Sequence, residues 1–180
     1  SSSGTPPHLG DVISDAGDLN GDGYEDFAIA ATAAVPPTYE SETTDAGAVF
    51  VVFGRPSTTS TAPWPTLTAL NGTNGFVVYT LLSNAELGYS IAGGCDLNND
   101  GFQDLIIGAK AGSTAFVLFG KSTGWPATPI WTSDITGAMG FIVSGSESSF
   151  GSSVACLGDF NHDNIDDFAV SGPSTDTPDY

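Results

Sequence analysis

Residues 18–26 read Asp-Leu-Asn-Gly-Asp-Gly-Tyr-Glu-Asp, and this pattern occurs twice more in the chain. Residues 96–104 read Asp-Leu-Asn-Asn-Asp-Gly-Phe-Gln-Asp, and residues 159–167 read Asp-Phe-Asn-His-Asp-Asn-Ile-Asp-Asp. A Leu-Gly or Phe-Gly pair precedes each copy at one fixed distance, since the glycines at 10, 88 and 151 lie eight residues before the aspartates at 18, 96 and 159. A motif repeated with fixed spacing indicates a fold built from repeated units.

The segments between these loops have the composition of β-strands. Short apolar runs lie at 27–30, 47–54, 75–79, 105–108, 113–120, 140–143 and 168–171. They are rich in β-branched and aromatic residues, are bounded by Gly, Pro, Asn and Asp, and show no sustained helical period. Four short strands per repeat is the pattern of a β-propeller blade. We therefore predict an all-β fold of antiparallel four-stranded blades, with the Pro- and Thr-rich linkers 31–46 and 55–70 as exposed loops.

Each loop carries oxygen-bearing side chains at alternate positions. Ca²⁺ binds about six to eight oxygen atoms, and alternate positions of a tight loop can supply them. In the first loop, positions 1, 3, 5 and 9 offer side-chain oxygens and position 7 offers its backbone carbonyl. These residues are Asp18, Asn20, Asp22, Asp26 and, at position 7, Tyr24.

Position 6 of such a loop needs a left-handed backbone, which glycine adopts without steric cost. Gly23 and Gly101 meet this need, and the third loop has Asn164, the next most tolerant residue type. We therefore expect three Ca²⁺ sites, with the third binding more weakly. An EF-hand is excluded because its position 12 requires a glutamate. Position 12 here is apolar in all three copies: Ile29, Ile107 and Val170.

The charge balance favours cations as partners. The chain has 180 residues with 21 Asp and Glu against three Lys and Arg, a net charge of −18. Such a chain cannot replace the counterions of a phosphate backbone, so we expect no nucleic-acid partner. It also has no apolar run long enough for a transmembrane helix, so we expect no membrane insertion.

These features resemble the FG-GAP repeats of the integrin α-subunit β-propeller. The resemblance rests on the Leu-Gly or Phe-Gly opening, the three loops, and the closing Val-Phe-Gly of 52–54 and Leu-Phe-Gly of 118–120. It implies about two and a half FG-GAP blades, with Ca²⁺ bound at positions 1, 3, 5, 7 and 9 of each loop. In the second and third loops the implied ligands are Asp96, Asn98, Asp100, Phe102, Asp104, Asp159, Asn161, Asp163, Ile165 and Asp167.

We expect three repeats, at 1–75, 76–140 and an incomplete one at 141–180, forming one propeller-like unit. So few blades cannot close a propeller, so we expect a longer chain or further copies of this one. Two functions follow as hypotheses. The first is an extracellular module for adhesion or protein recognition, with Ca²⁺ stiffening the loops. The second is a structural subunit of an extracellular fibre, sheath or filament built from repeated copies.

We do not expect an enzyme, because the two histidines, His8 and His162, form no catalytic or zinc-binding pattern with other residues. Cys95 and Cys156 either form one disulfide or remain buried thiols. Asn71 begins an Asn-Gly-Thr glycosylation sequon, and the Ser57–Thr61 run could carry O-linked glycans. These features favour an extracellular or cell-surface location, and the sequence does not name the ligand.

Overall fold

The computed structural model describes residues 8–37, 39, 44–56 and 63–173, and these residues form three sheets. The first contains β1 (Leu9–Gly17), β2 (Asp26–Ala31), β3 (Ala48–Val52) and β4 (Gly75–Tyr79) in sequential antiparallel order. The second contains β5 (Leu87–Cys95), β6 (Asp104–Ala109), β7 (Thr114–Leu118) and β9 (Gly140–Ser144). The third pairs β10 (Ser153–Gly158) with β11 (Asp167–Ser171).

The prediction of an all-β fold with antiparallel blades is confirmed. Helical structure in the described residues is limited to three short 3₁₀ turns, at Leu67–Ala69, Thr132–Asp134 and Gly137–Met139. A two-residue strand, β8 (Ile130–Trp131), leaves the second repeat and pairs in parallel with β4 of the first sheet. The connection between β7 and β9 therefore ties two repeats together.

The central strands of the first two sheets are buried on both faces. Every residue of β3, β6 and β7 is buried. This explains why their sequences are continuous apolar runs rather than alternating patterns. A shared core of buried residues joins the two sheets, with Val49 and Val51 of β3 in the same cluster as Ile107 of β6.

Neighbouring sheets contact each other through their first strands, with β1 packed on β5 and β5 packed on β10. At the first of these interfaces the backbones approach closely, since a Cβ atom on Gly93 would lie 2.4 Å from the Ala16 backbone. Counted from the loops, Cys156 occupies the position of Gly93, and Cys95 that of Gly17. The second interface therefore has a disulfide, between Cys95 and Cys156, where the first has two glycines.

The predicted repeat limits at 75 and 140 fall at the first residues of β4 and β9, and the division into repeats stays a prediction. One expectation differs from the observed structure. The linker 31–46 is not wholly exposed, because Ala34 and Ala46 are buried. The Gly47 amide donates to the Ala34 carbonyl at 2.9 Å, which folds this linker back onto the sheet.

Candidate metal-binding loops

The three loops occupy equivalent places in the three sheets. Each connects the first two strands of its sheet, β1–β2, β5–β6 or β10–β11. The last pair of the ladder brackets each loop, with Gly17 opposite Asp26, Cys95 opposite Asp104 and Gly158 opposite Asp167. The first-strand packing of the sheets therefore sets the loops side by side.

The same side-chain to backbone hydrogen bonds fold every loop. In the first loop, Asp18 accepts the amide N–H groups of Asp22 at 3.0 Å and Gly23 at 2.8 Å. Asn20 Oδ1 also accepts from the Asp22 amide at 2.9 Å, and Asp22 Oδ1 accepts from the Tyr24 amide at 3.0 Å. The equivalent bonds of the second and third loops measure 2.8–3.1 Å and 2.9–3.0 Å. The oxygens at positions 1, 3 and 5 are thus oriented by the loop backbone before any ligand binds.

The left-handed backbone expected at position 6 is present in all three loops. Its φ angles are 87° at Gly23, 89° at Gly101 and 70° at Asn164. Position 4 is left-handed as well, and there two of the three residues are not glycine: Asn99 has φ 56° and His162 has φ 63°. Sequence reasoning missed this second left-handed position, although an asparagine in a tight turn is a usable signal.

The position 9 carboxylates connect the loops to the rest of their sheets. Asp26 is buried and accepts the amide N–H groups of Leu19 at 3.0 Å and Gly54 at 2.8 Å. Asp104 is also buried and accepts from Leu97 at 2.7 Å and Gly120 at 2.8 Å. Gly54 and Gly120 are the glycines of the Phe-Gly pairs that follow β3 and β7.

Burial raises the pKa of the Asp26 carboxyl to about 7 and that of Asp104 to about 6. The amide hydrogen bonds lower both pKa values, and the negative charges of the loop aspartates at positions 5 and 1 raise them. A nearby cation would favour the ionised carboxylates by offsetting both burial and this repulsion. In the third loop Asp167 is only partly buried, and it accepts N–H groups from Phe160 and Asn161.

The donor set fits calcium. All the predicted ligand atoms are oxygens, and three aspartates per loop supply negative charge, which suits a hard divalent cation. Among the described residues, one group of three or more acidic, histidine or cysteine side chains has all its ligand atoms within 4.8 Å of one another, and it consists of Cys95, Cys156 and Asp166. The carboxylates at positions 1, 5 and 9 are therefore spread more widely, and an ion held by all three would draw them closer together. The cysteine cluster itself contains the disulfide, whose Cα–Cα distance of 5.8 Å is typical of such bridges.

The remaining predicted residues lie away from the loops. Asn71 is exposed in the turn before β4, and its Oδ1 accepts the Thr73 amide at 3.0 Å and the Thr73 hydroxyl at 2.7 Å. His8 lies 3.2 Å from Asp11 at the start of β1, while His162 is in the third loop. The Ser57–Thr61 run lies outside the described residues. No helix in the described ranges is long and apolar enough to span a membrane.

Comparison with known proteins places the chain among proteins built from these repeats. The FG-GAP repeat family model matches residues 13–52 and 87–124, which contain the first and second loops. The chain belongs to the FG-GAP repeat family, as its sequence predicts.

The relatives include integrin alpha chains. Integrin alpha-7 of Mus musculus is 34% identical over 135 residues, covering 71% of this chain and 10% of that protein. Integrin alpha-IIb of Mus musculus is 32% identical over 116 residues, covering 61% of this chain and 9% of that protein. Phosphatidylinositol-glycan-specific phospholipase D of Rattus norvegicus is 35% identical over 107 residues, covering 53% of this chain and 12% of that protein. The chain thus spans about a tenth of the length of these curated relatives.

Proposed function

We propose that this chain is a calcium-binding β-propeller-type module that serves adhesion or protein recognition outside the cell. The observation that carries the proposal is the repetition of one hydrogen-bonded arrangement in three loops, each with oxygen side chains at positions 1, 3, 5 and 9. A loop that served only as a turn would not need three aspartates and an asparagine at fixed positions in every copy. Similarity to integrin alpha chains supports the same function.

Each residue of a loop has a distinct role in this proposal. The ion is held by the side chains at positions 1, 3, 5 and 9 and by the carbonyl at position 7. Its positive charge offsets the repulsion among the three aspartates of the loop. The buried Asp26 and Asp104 also hold the ends of the third strands through Gly54 and Gly120. A bound ion therefore stiffens the loop together with the end of the third strand of its sheet, and this gives a rigid surface for a protein partner.

An extracellular or cell-surface location agrees with the disulfide, because such bridges persist in oxidising compartments. Calcium sites of extracellular modules are typically matched to roughly 10⁻⁴–10⁻³ M Ca²⁺. We propose a binding role rather than catalysis for this chain. The similarity to a phospholipase D concerns 12% of that enzyme and carries no assignment of its activity to this chain.

Thermal melting with calcium and then with EGTA tests the calcium sites. A ligand that binds only the folded state raises the melting temperature, so calcium should stabilise the protein and EGTA should reverse the effect. Replacing Asp96 and Asp100 together by alanine should remove one of three bound ions in a metal analysis. Replacing Asp134 and Glu147, two exposed acids outside the loops, removes the same charge and should leave the stoichiometry unchanged. An EGTA-insensitive melt would reject calcium binding.

The fibre or sheath interpretation remains a prediction. Light scattering after gel filtration, with calcium and then with chelator, separates it from the recognition module. A large species in calcium that dissociates in chelator would support assembly of repeated copies. A mass of about one chain, 18.3 kDa, in both conditions would contradict it.

A further inference from the structure

Two side chains that are not among the predicted ligands, Gln103 and Asp166, join neighbouring loops by hydrogen bonds. Gln103 Oε1 accepts the Asp18 amide N–H at 2.6 Å across 85 residues of sequence. Asp166 Oδ2 accepts the Asp96 amide N–H at 2.9 Å across 70 residues. Both acceptors stand at position 8 of a loop, and both donors stand at position 1 of the preceding loop. The same bond therefore recurs at two successive interfaces.

Backbone contacts accompany both bonds. Asp166 donates its own amide N–H to the Asp96 carbonyl at 3.2 Å, so the two residues are joined twice. At the first interface Lys121 donates to the Leu19 carbonyl at 2.9 Å. A Cβ atom on Gly21 would lie 2.5 Å from the Phe102 ring, which brings position 4 of one loop against position 7 of the next. Adjacent loops are thus in direct contact.

Each of these acceptors belongs to one loop and bonds to the preceding loop. Position 8 lies between positions 7 and 9, which are ligands in its own loop. Its side chain holds position 1, which is a ligand in the preceding loop. When an ion fixes positions 7 and 9 of one loop, it also fixes position 8 between them. The side chain at position 8 then orients position 1 of the preceding loop.

We infer that the position 8 side chains of the second and third loops, Gln103 and Asp166, are positioning residues for the calcium site of the preceding loop, so that the three sites are coupled in series. This inference rests on the proposed calcium function. The bond that the Asp166 carboxylate accepts is charge-assisted, whereas the one that the Gln103 amide oxygen accepts is neutral, so coupling is stronger between the second and third loops.

Site-resolved calcium titration by NMR provides the test. The Gly23 and Gly101 amides each donate to the position 1 aspartate of their own loop, so their resonances report the first and second loops separately. Gln103→Leu removes the acceptor at similar volume. It should lower the calcium affinity of the first loop by about three- to ten-fold, which corresponds to the free energy of one hydrogen bond. The calcium affinity of the second loop should stay nearly unchanged. Gln103→Glu keeps an acceptor oxygen, so the calcium affinity of the first loop should match that of the wild type.

Glu25→Leu is the matched control, because Glu25 is position 8 of the first loop and its side chain accepts no hydrogen bond from any described residue. It should leave the Gly23 and Gly101 titrations unchanged. Two results would show that position 8 acts within its own loop, and either would overturn the inference. One is that Glu25→Leu lowers the calcium affinity of the first loop. The other is that Gln103→Leu lowers the calcium affinity of the second loop as much as that of the first.

Hydrogen exchange in chelator separates this inference from the calcium proposal. The Asp18 amide should lose protection in Gln103→Leu without any metal, because the bond is present in the protein alone. If the wild-type resonances do not respond to calcium, the proposed function fails. If they respond and Gln103→Leu changes neither the first loop's affinity nor the Asp18 exchange, the coupling inference fails on its own.

Discussion

Asp26 Oδ1 accepts the amide N–H of Gly54 at 2.8 Å, which joins the end of the first loop to the glycine of the Phe-Gly pair that follows β3. Asp104 and Gly120 make the same bond at 2.8 Å in the second repeat. A Cβ atom on Gly54 would lie 2.4 Å from the Glu25 carbonyl oxygen, and one on Gly120 would lie 2.2 Å from that of Gln103. Glycine is therefore required after the phenylalanine, because any side chain there would overlap the backbone of the loop in the same sheet.

Replacing Asp26 by asparagine should destabilise the metal-free protein. One amide N–H that now meets a carboxylate oxygen would face an NH₂ group, and a buried unsatisfied donor costs about 1–3 kcal/mol. Urea denaturation in chelator measures the change. Asp167→Asn is the matched control at position 9 of the third loop, where the donors Phe160 and Asn161 are exposed and can bond to water. Equal losses in the two variants would contradict the importance of burial.

Gly120→Ala should lower stability by about 1–3 kcal/mol, because the added methyl group overlaps backbone that cannot move freely. Gly112→Ala provides a control, since a Cβ there meets its nearest atoms at 3.4 Å, an ordinary contact distance. Thermal melting in chelator compares the two. A Gly120→Ala protein as stable as Gly112→Ala would show that the closing glycine is not sterically required.

Asn164→Gly should stabilise the third loop. The residue has φ 70°, a conformation that glycine adopts more easily than asparagine, so we expect a gain of about 0.5 kcal/mol. Asn164→Ala should instead cost about 1 kcal/mol, because alanine lacks asparagine's tolerance of this region. Melting curves in chelator measure both, and changes of the same sign in the two variants would refute the backbone explanation.

The Cys95–Cys156 bridge should stabilise the protein by about 2–4 kcal/mol, since it closes a long stretch of chain with a sequence separation of 61. Mass spectrometry of a non-reduced digest should recover the two cysteines in one linked peptide pair. Reduction should then lower the melting temperature of the wild type but not that of a Cys95→Ala, Cys156→Ala double variant. A reduction-sensitive melt in the double variant would assign the effect to another cause.

Secretion from a eukaryotic host should place an N-linked glycan on Asn71. The residue is exposed, and its Oδ1 is held by Thr73 while its Nδ2, the atom that would carry the sugar, donates no hydrogen bond to a described residue. Glycosidase treatment followed by mass measurement detects the glycan. Thr73→Ala should abolish it and Thr73→Ser should retain it, since the sequon accepts either hydroxyl. A glycan that persists in Thr73→Ala would lie elsewhere.

The loops and strands could be predicted from the sequence because their causes are local. The hydrogen bonds within a loop join residues seven or fewer apart, as from Gly23 to Asp18 and from Leu19 to Asp26, so a nine-residue pattern contains its own partners. The left-handed backbone at Gly23, Gly101 and Asn164 follows from residue type in the same way. The apolar runs likewise predicted strands, and the repeat of both features predicted the family.

Packing decided the features whose partners are distant in sequence. The sequence does not decide the pairing of Cys95 with Cys156, because the two residues stand at different distances from their loops, and only the contact of β5 with β10 brings them together. Ala34 and Ala46 are buried in a linker whose composition predicts exposure, because the linker folds back on the sheet. The bond from Asp18 to Gln103 crosses 85 residues. The sequence by itself determined the loops and the strands, because their partners are near neighbours, whereas only the tertiary structure decided how the loops are joined, because strand packing sets those distances.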